Sequence, residues 1–196
     1  MNTKLQQAFE RFDQYNQQDP NALIWEEKTY PQEYFLALKL HDWVLRLKPD
    51  ANEALRLASR SQHIGRWKIA RKDYPAGREG YLKWRKELAN FHADKSASIL
   101  QEVGYSEEII QKVRSIILKK RIKVDQDVQT MENALCLVFL AYQYETFYPK
   151  YRTKIVTILK KSLLKMDSHG HQFALALPYS EEGLQYIKEA LRLIQS

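Results

Sequence analysis

The run Ala134 to Tyr142, ALCLVFLAY, constrains the fold more than any other stretch of this chain. Wound into a helix it is apolar on every side, so other elements have to surround it. At about half the length that a bilayer span requires, it predicts a buried helix of a folded protein rather than a membrane segment. The helix should start near Asp125 or Asp127, with Asp125 acting in capping or at a cleft edge, and close at Phe147-Tyr148-Pro149.

The remaining periodicities supply helices to cover it. Leu5, Ala8, Phe9 and Phe12 are spaced for one amphipathic helix, ended by Asp19-Pro20. NALIWEEK reads as a loop. Thr29 then caps a helix reaching Leu47, with Gln32 completing a capping box and Pro31 in the first turn. A third helix is expected from about Asn52 to Trp67, and a connector from Lys68 to Arg78 turns at Pro75 and Gly77. The next helix ends near Gly104, a left-handed cap. Ser106 caps another, led by Glu107 and Glu108. Ile155, Ile158, Leu159, Ser162, Leu163 and Met166 face inward from one more, DSHGHQ is a loop, and Ser180 caps the last. Alternating apolar residues are not read anywhere. The expectation is an all-α fold, one domain over residues 1–196 with about eight helices.

A formal charge of +7 favours anionic partners: nucleotides, other anionic small molecules carrying phosphoesters, or RNA. The single cysteine, Cys136, excludes an intramolecular disulfide and sits in the apolar run as inert packing. The first residues lack the apolar core of a signal peptide, so a cytoplasmic protein with no membrane segment is expected.

Chemistry concentrates between Ala54 and His92. On the predicted third helix, Arg56, Arg60, His63 and Trp67 share a stripe opposite the small apolar face, and a tryptophan there calls for a covering surface. On the following helix His92 shares a face with Tyr81, Arg85, Leu88, Ser96 and Ile99. Glu132 aligns with Val128, Cys136 and Phe139, so its carboxylate points at the apolar side and needs a cation, either a metal or an Arg/Lys. Two imidazoles and a carboxylate suit zinc, manganese or iron, although no short motif such as HExxH binds them together. Arg56, Arg60, Arg66, Arg71, Arg78 and Arg85 surround the histidines, and guanidinium groups bind phosphate oxygens in pairs. His41, next to Asp42, reads as a core histidine; His169 and His171 fall in a helix-linking turn. No Gly-rich phosphate loop, nucleophile elbow or Cys-pair zinc motif is present.

The blocks EALRLASRSQHIGRW, ARKDYPAGREGYLKWRKELANFHA, ILQEVGY, DQDVQTMENALCLVFL and KKSLLKMDSHGH together resemble an uncharacterised family of bacteria and fungi, known as a domain of unknown function. Some of its fungal members carry a glutamyl-tRNA synthetase label. More distantly, the order of features resembles the HD superfamily of all-α, metal-dependent phosphohydrolases. By that resemblance Gln62-His63 stands at the His-Asp pair, with Ile64 in place of the aspartate. His92 matches an additional histidine, and Glu132-Asn133 falls at the last acidic ligand, where the uncharacterised family commonly has an aspartate at Asn133. The resemblance implies a divalent metal held by His63, His92 and Glu132, with Glu33 as fourth ligand.

Three functions follow as expectations. The first is a metal-dependent phosphohydrolase of a nucleotide or other small phosphoester, its substrate held by Arg60, Arg66, Arg71, Arg85, Gln62, Trp67 and Asn133. The second is a metal-free nucleotide- or RNA-binding module using the same arginines, with Trp67, Tyr74, Tyr81 and Trp84 for base stacking. The third is a structural adaptor.

Overall fold

The structure, a computed structural model, describes residues 3–195. It is mainly helical. Helix α1 (Lys4–Asn16) opens on a capping box in which the Thr3 hydroxyl accepts from the Gln6 amide and the Gln6 side chain accepts from the Thr3 amide. It closes at Asn16, ahead of Asp19-Pro20. The segment read as a loop is instead an antiparallel hairpin of β1 (Ala22–Trp25) and β2 (Lys28–Pro31). Its two-residue turn is Glu26-Glu27, both at positive φ (48° and 63°), the conformation that matches strand twist in tight hairpins. Leu23 and Trp25 face the core while Ala22 and Ile24 face outward, a four-residue alternation too short to notice beside the helical signals.

The hairpin also moves a cap. Thr29 pairs with Ile24 in the sheet, and α2 (Gln32–Leu47) starts after Pro31 with no side-chain cap of its own. Asp19 serves from a distance, its carboxylate accepting from the Glu33 amide at 2.9 Å. Helix α3 (Glu53–Ser61) is capped by Asn52 and stops well short of Trp67. Two short 3₁₀ turns, Arg66–Lys68 and Arg71–Asp73, lead to the long α4 (Gly77–Val103), which ends on left-handed Gly104 as its spacing predicts. Ser106 caps α5 (Glu107–Ile117), and Asp125 caps α6 (Gln126–Tyr142) by accepting from the amides of Asp127 and Val128.

The short α7 (Tyr144–Phe147) and α8 (Ile155–Leu163) follow. DSHGHQ is not a loop: Asp167 caps α9 (Ser168–Leu175), which begins inside it. Helix α10 (Glu181–Gln195) starts with the Ser180 hydroxyl accepting from the Gly183 amide.

Helix α6 is the centre. It packs on α2, α3, α5, α7 and α9, and Val128, Met131, Ala134 and Leu137 are fully buried. Leu135 and Phe139 are only half-buried because they border a cavity. No helix among the described residues is long and apolar enough to cross a membrane.

Candidate functional site

The site begins where α3 stops. After Ser61 the chain turns through Gln62, His63 and Ile64 to Gly65, whose φ of +65° is the left-handed region that favours glycine. A Cβ there would lie 2.7 Å from the Tyr15 ring and 2.9 Å from the Phe91 ring, so only glycine fits. The Asn16 side chain accepts from the Gly65 amide at 3.1 Å. His63 therefore leaves the helical stripe that the sequence suggested. Arg60 and Trp67, expected beside it, go elsewhere.

The neighbouring backbone ends are tied by buried side chains. His92, on α4, donates from Nδ1 to the Ile64 carbonyl at 2.7 Å. A carbonyl only accepts, so the proton resides on Nδ1 and Nε2 keeps its lone pair. Gln62 donates its amide to the Ile117 carbonyl at 3.1 Å, satisfying one of the open carbonyls at the end of α5. Both residues are only 3% exposed, and neither Gln62 Oε1 nor His92 Nε2 has a partner. The His63 and His92 rings are 5.6 Å apart, centre to centre. Burial lowers both pKa values, that of His92 to about 4, and for His63 the cations Arg66, Lys119 and Arg85 add to the effect. The imidazoles are neutral at pH 7.

Two adjoining lobes open from His63. The first, about 340 Å³, has Leu36, Leu40, Leu135 and Phe139 on its apolar side and Glu33 and Glu132 on its polar side. The second, about 370 Å³, has Gln62, Leu88, His92 and Ile117 at its buried end and Tyr81, Trp84 and Arg85 on α4. His63, Arg66, Lys119 and Lys165 border both. Trp84 is held by its indole N–H, which donates to the Ile69 carbonyl at 3.0 Å. The Arg66 guanidinium lies 5.6 Å from its ring centre and Arg85 5.8 Å from that of Tyr81.

The two acids meet cations. Glu132 Oε2 lies 2.5 Å from Lys119 Nζ, and Oε1 lies 3.6 Å from Lys165 Nζ. Glu33 Oε1 is 3.8 Å from Arg66 Nε, and its other oxygen has no hydrogen-bond partner. Burial raises the Glu33 pKa to about 7, against the lowering pull of Arg66.

Lys119 is the residue that sequence reasoning missed. It follows the last turn of α5 at φ +55°. Its amide donates to the Ile116 carbonyl, and the Lys120 amide to that of Ser115. This is the paired bonding of a Schellman cap, in which the left-handed position is usually glycine. The available signal was a lysine directly after a clean apolar helical repeat.

Several expected site residues stand outside the cleft. Arg60 forms a two-pronged pair with Asp13 at 2.7 and 2.8 Å. Arg71 donates to the Tyr74 carbonyl, and Trp67 packs against Tyr15. Asn133 donates to Asp167 at 2.8 Å and accepts from the Asp167 amide, tying α6 to α9. His41 donates to Ser59 Oγ at 2.8 Å, since that hydroxyl gives its own proton to the Arg56 carbonyl. Of the expected set, His63, His92, Glu33, Glu132, Gln62, Arg66 and Arg85 border the two lobes. Among the described residues no three His, Cys, Asp or Glu side chains are grouped as a metal's ligands would be. The third ligand of the expected metal set, Glu132, faces two ammonium groups instead.

No curated protein and no solved structure matches this chain. The family described as Domain of unknown function (DUF4202) matches residues 6–187, so the chain belongs to that family.

Proposed function

We propose that the cleft binds a phosphorylated small molecule, a nucleotide foremost, without a metal. One observation carries this reading. The second lobe is bordered by Arg66, Arg85, Lys119 and Lys165, and by no carboxylate among the described residues. Both of its histidines are neutral, so the positive charge there belongs to permanent cations. With Lys119 and Lys165 sharing Glu132 and Arg66 near Glu33, four cations face two carboxylates and remain in excess. A phosphate dianion offsets that charge, and paired guanidinium N–H groups match its oxygens. The volume of about 370 Å³ is within the usual range for small-molecule sites.

Calorimetric titration with pyrophosphate and AMP tests it. Binding is expected at low ionic strength and should weaken as salt rises. Arg85→Gln should lower affinity by about tenfold, the loss of a charge-assisted hydrogen bond, with the melting temperature unchanged. Lys165→Gln should lower affinity similarly and also lower the melting temperature, because Lys165 faces the buried Glu132. If neither pyrophosphate nor AMP binds at millimolar concentration, the reading fails.

A metal-dependent phosphohydrolase is the second reading, favoured by the His63–His92 approach and the free Nε2 of His92. A divalent metal would activate water and polarise a phosphoryl oxygen. His63, His92, Glu132 and Glu33 would hold it, and Glu132 would first have to release Lys119. Elemental analysis of tag-free protein purified without chelator decides this: less than about one-tenth of a metal ion per chain would rule it out.

A further inference from the structure

We infer that the second lobe takes a nucleotide whose base carries an exocyclic amine, read by Gln62 Oε1 and His92 Nε2. This rests on the phosphate-binding reading above and adds the identity of the group beside the phosphate. Two buried acceptors in this lobe have nothing to accept. The Gln62 amide is oriented by its bond to the Ile117 carbonyl, which commits the nitrogen and leaves the oxygen facing no donor. His92 is oriented by its bond to the Ile64 carbonyl, which leaves a lone pair on Nε2 and again no donor. Both residues border the same lobe at its buried end.

Buried acceptors without donors carry a free-energy penalty, and a ligand that brings donors relieves it. Among groups found on phosphorylated small molecules, an ammonium is excluded by the four cations around the lobe. A single sugar hydroxyl has one proton and serves one acceptor, and a vicinal diol, which has two, offers no flat face to stack on Trp84. An exocyclic amine has two protons diverging in one plane and serves both. The rest of the lobe suits a flat ring: Trp84 is fixed by its indole bond, Tyr81 lies 5.8 Å from it, and the Arg66 guanidinium lies over its face. Arg66, Lys119 and Lys165, which border both lobes, place the phosphate at their junction. A base with a keto oxygen in place of the amine would turn lone pairs toward both acceptors. Sites that lose a required donor in this way discriminate strongly.

The full chain is titrated calorimetrically with AMP, IMP, CMP, UMP, ribose 5-phosphate and pyrophosphate. AMP and CMP are expected to bind about tenfold or more tighter than IMP and UMP. Gln62→Met should bring AMP down to the affinity of IMP, and a thermal melt reports whether that variant is folded. Trp84→Ala should independently reduce AMP to the affinity of ribose 5-phosphate. Should all four nucleotides bind no better than ribose 5-phosphate while pyrophosphate still binds, the amine assignment is overturned and the anion site stands. Should IMP and UMP bind as tightly as AMP and CMP, the two acceptors do not read the base and the assignment is again overturned. If pyrophosphate and every nucleotide fail to bind, the underlying reading falls and this one with it.

Discussion

Lys119 Nζ stands 2.5 Å from Glu132 Oε2, joining the left-handed end of α5 to the middle of the central helix α6. The same cap at the end of α4 is made by Gly104, at φ +87°. A glycine at position 119 would relax the backbone, but it would leave a carboxyl that is 3% exposed without its nearest cation. The left-handed backbone at Lys119 therefore carries strain while its ammonium meets the buried carboxyl.

Lys119→Gly should destabilise the protein by about 1–3 kcal/mol, because loss of a buried ion partner outweighs relief of about 1 kcal/mol of left-handed strain. The order should reverse once the charge is removed. In a Glu132→Gln background, Lys119→Gly is expected to add about 1 kcal/mol of stability. Urea denaturation of the four proteins in the cycle checks both signs, and a stabilising single Lys119→Gly would contradict the account.

Glu33 makes stability depend on pH. Its folded pKa of about 7 lies above its ordinary value of 4.5, so the folded state holds the proton more tightly than the unfolded one. Its contribution is favourable at low pH and declines as pH rises from about 4.5 through about 7. Glu33→Gln should remove that decline and stabilise the protein at pH 8 by on the order of 2–3 kcal/mol relative to wild type. The gap should close below pH 4.5. Thermal melts across pH 4–8 supply the comparison, and a constant gap would rule out the mechanism.

The α6–α9 junction is closely fitted. Asn133 donates to Asp167, and a Cβ on Gly170 would lie 2.8 Å from Asn133 Cγ. Asn133→Asp sets one carboxylate against another and should lower stability by about 1–3 kcal/mol at neutral pH. Protonation should restore much of that loss near pH 4. Gly170→Ala should be destabilising at every pH, because its cause is steric. Denaturation at pH 4 and pH 7 separates the two.

Arginines of one composition divide into two roles. Arg60 is locked on Asp13, whereas Arg85 borders the second lobe. Arg60→Ala should reduce stability by about 1–3 kcal/mol and leave pyrophosphate affinity intact. Arg85→Ala should weaken pyrophosphate binding with a loss of stability of at most about 0.5 kcal/mol. The reverse assignment of effects in paired melting and binding experiments would refute the division.

Local chemistry alone determined most of the helical frame. Ser106, Asp125 and Gly104 mark helix ends through side-chain and backbone preferences acting within a few residues. The apolar run around Leu137 identified the buried centre for the same reason: periodicity is visible wherever one face meets protein. The family blocks and the histidines were legible too. Packing decided the rest. The hairpin at Glu26-Glu27 lacks the glycine or asparagine that would announce it, and α3 stops at Ser61, ahead of a left-handed Gly65 packed between Tyr15 and Phe91. Glu132 was legible as a buried acid in need of a cation. Its partners, Lys119 and Lys165, come from other segments of the chain. Likewise Arg60 and Arg66 share a helical stretch in sequence, yet one meets Asp13 and the other Glu33. Such pairings join residues far apart along the chain, where no spacing rule acts, and only the assembled fold sets which charges meet.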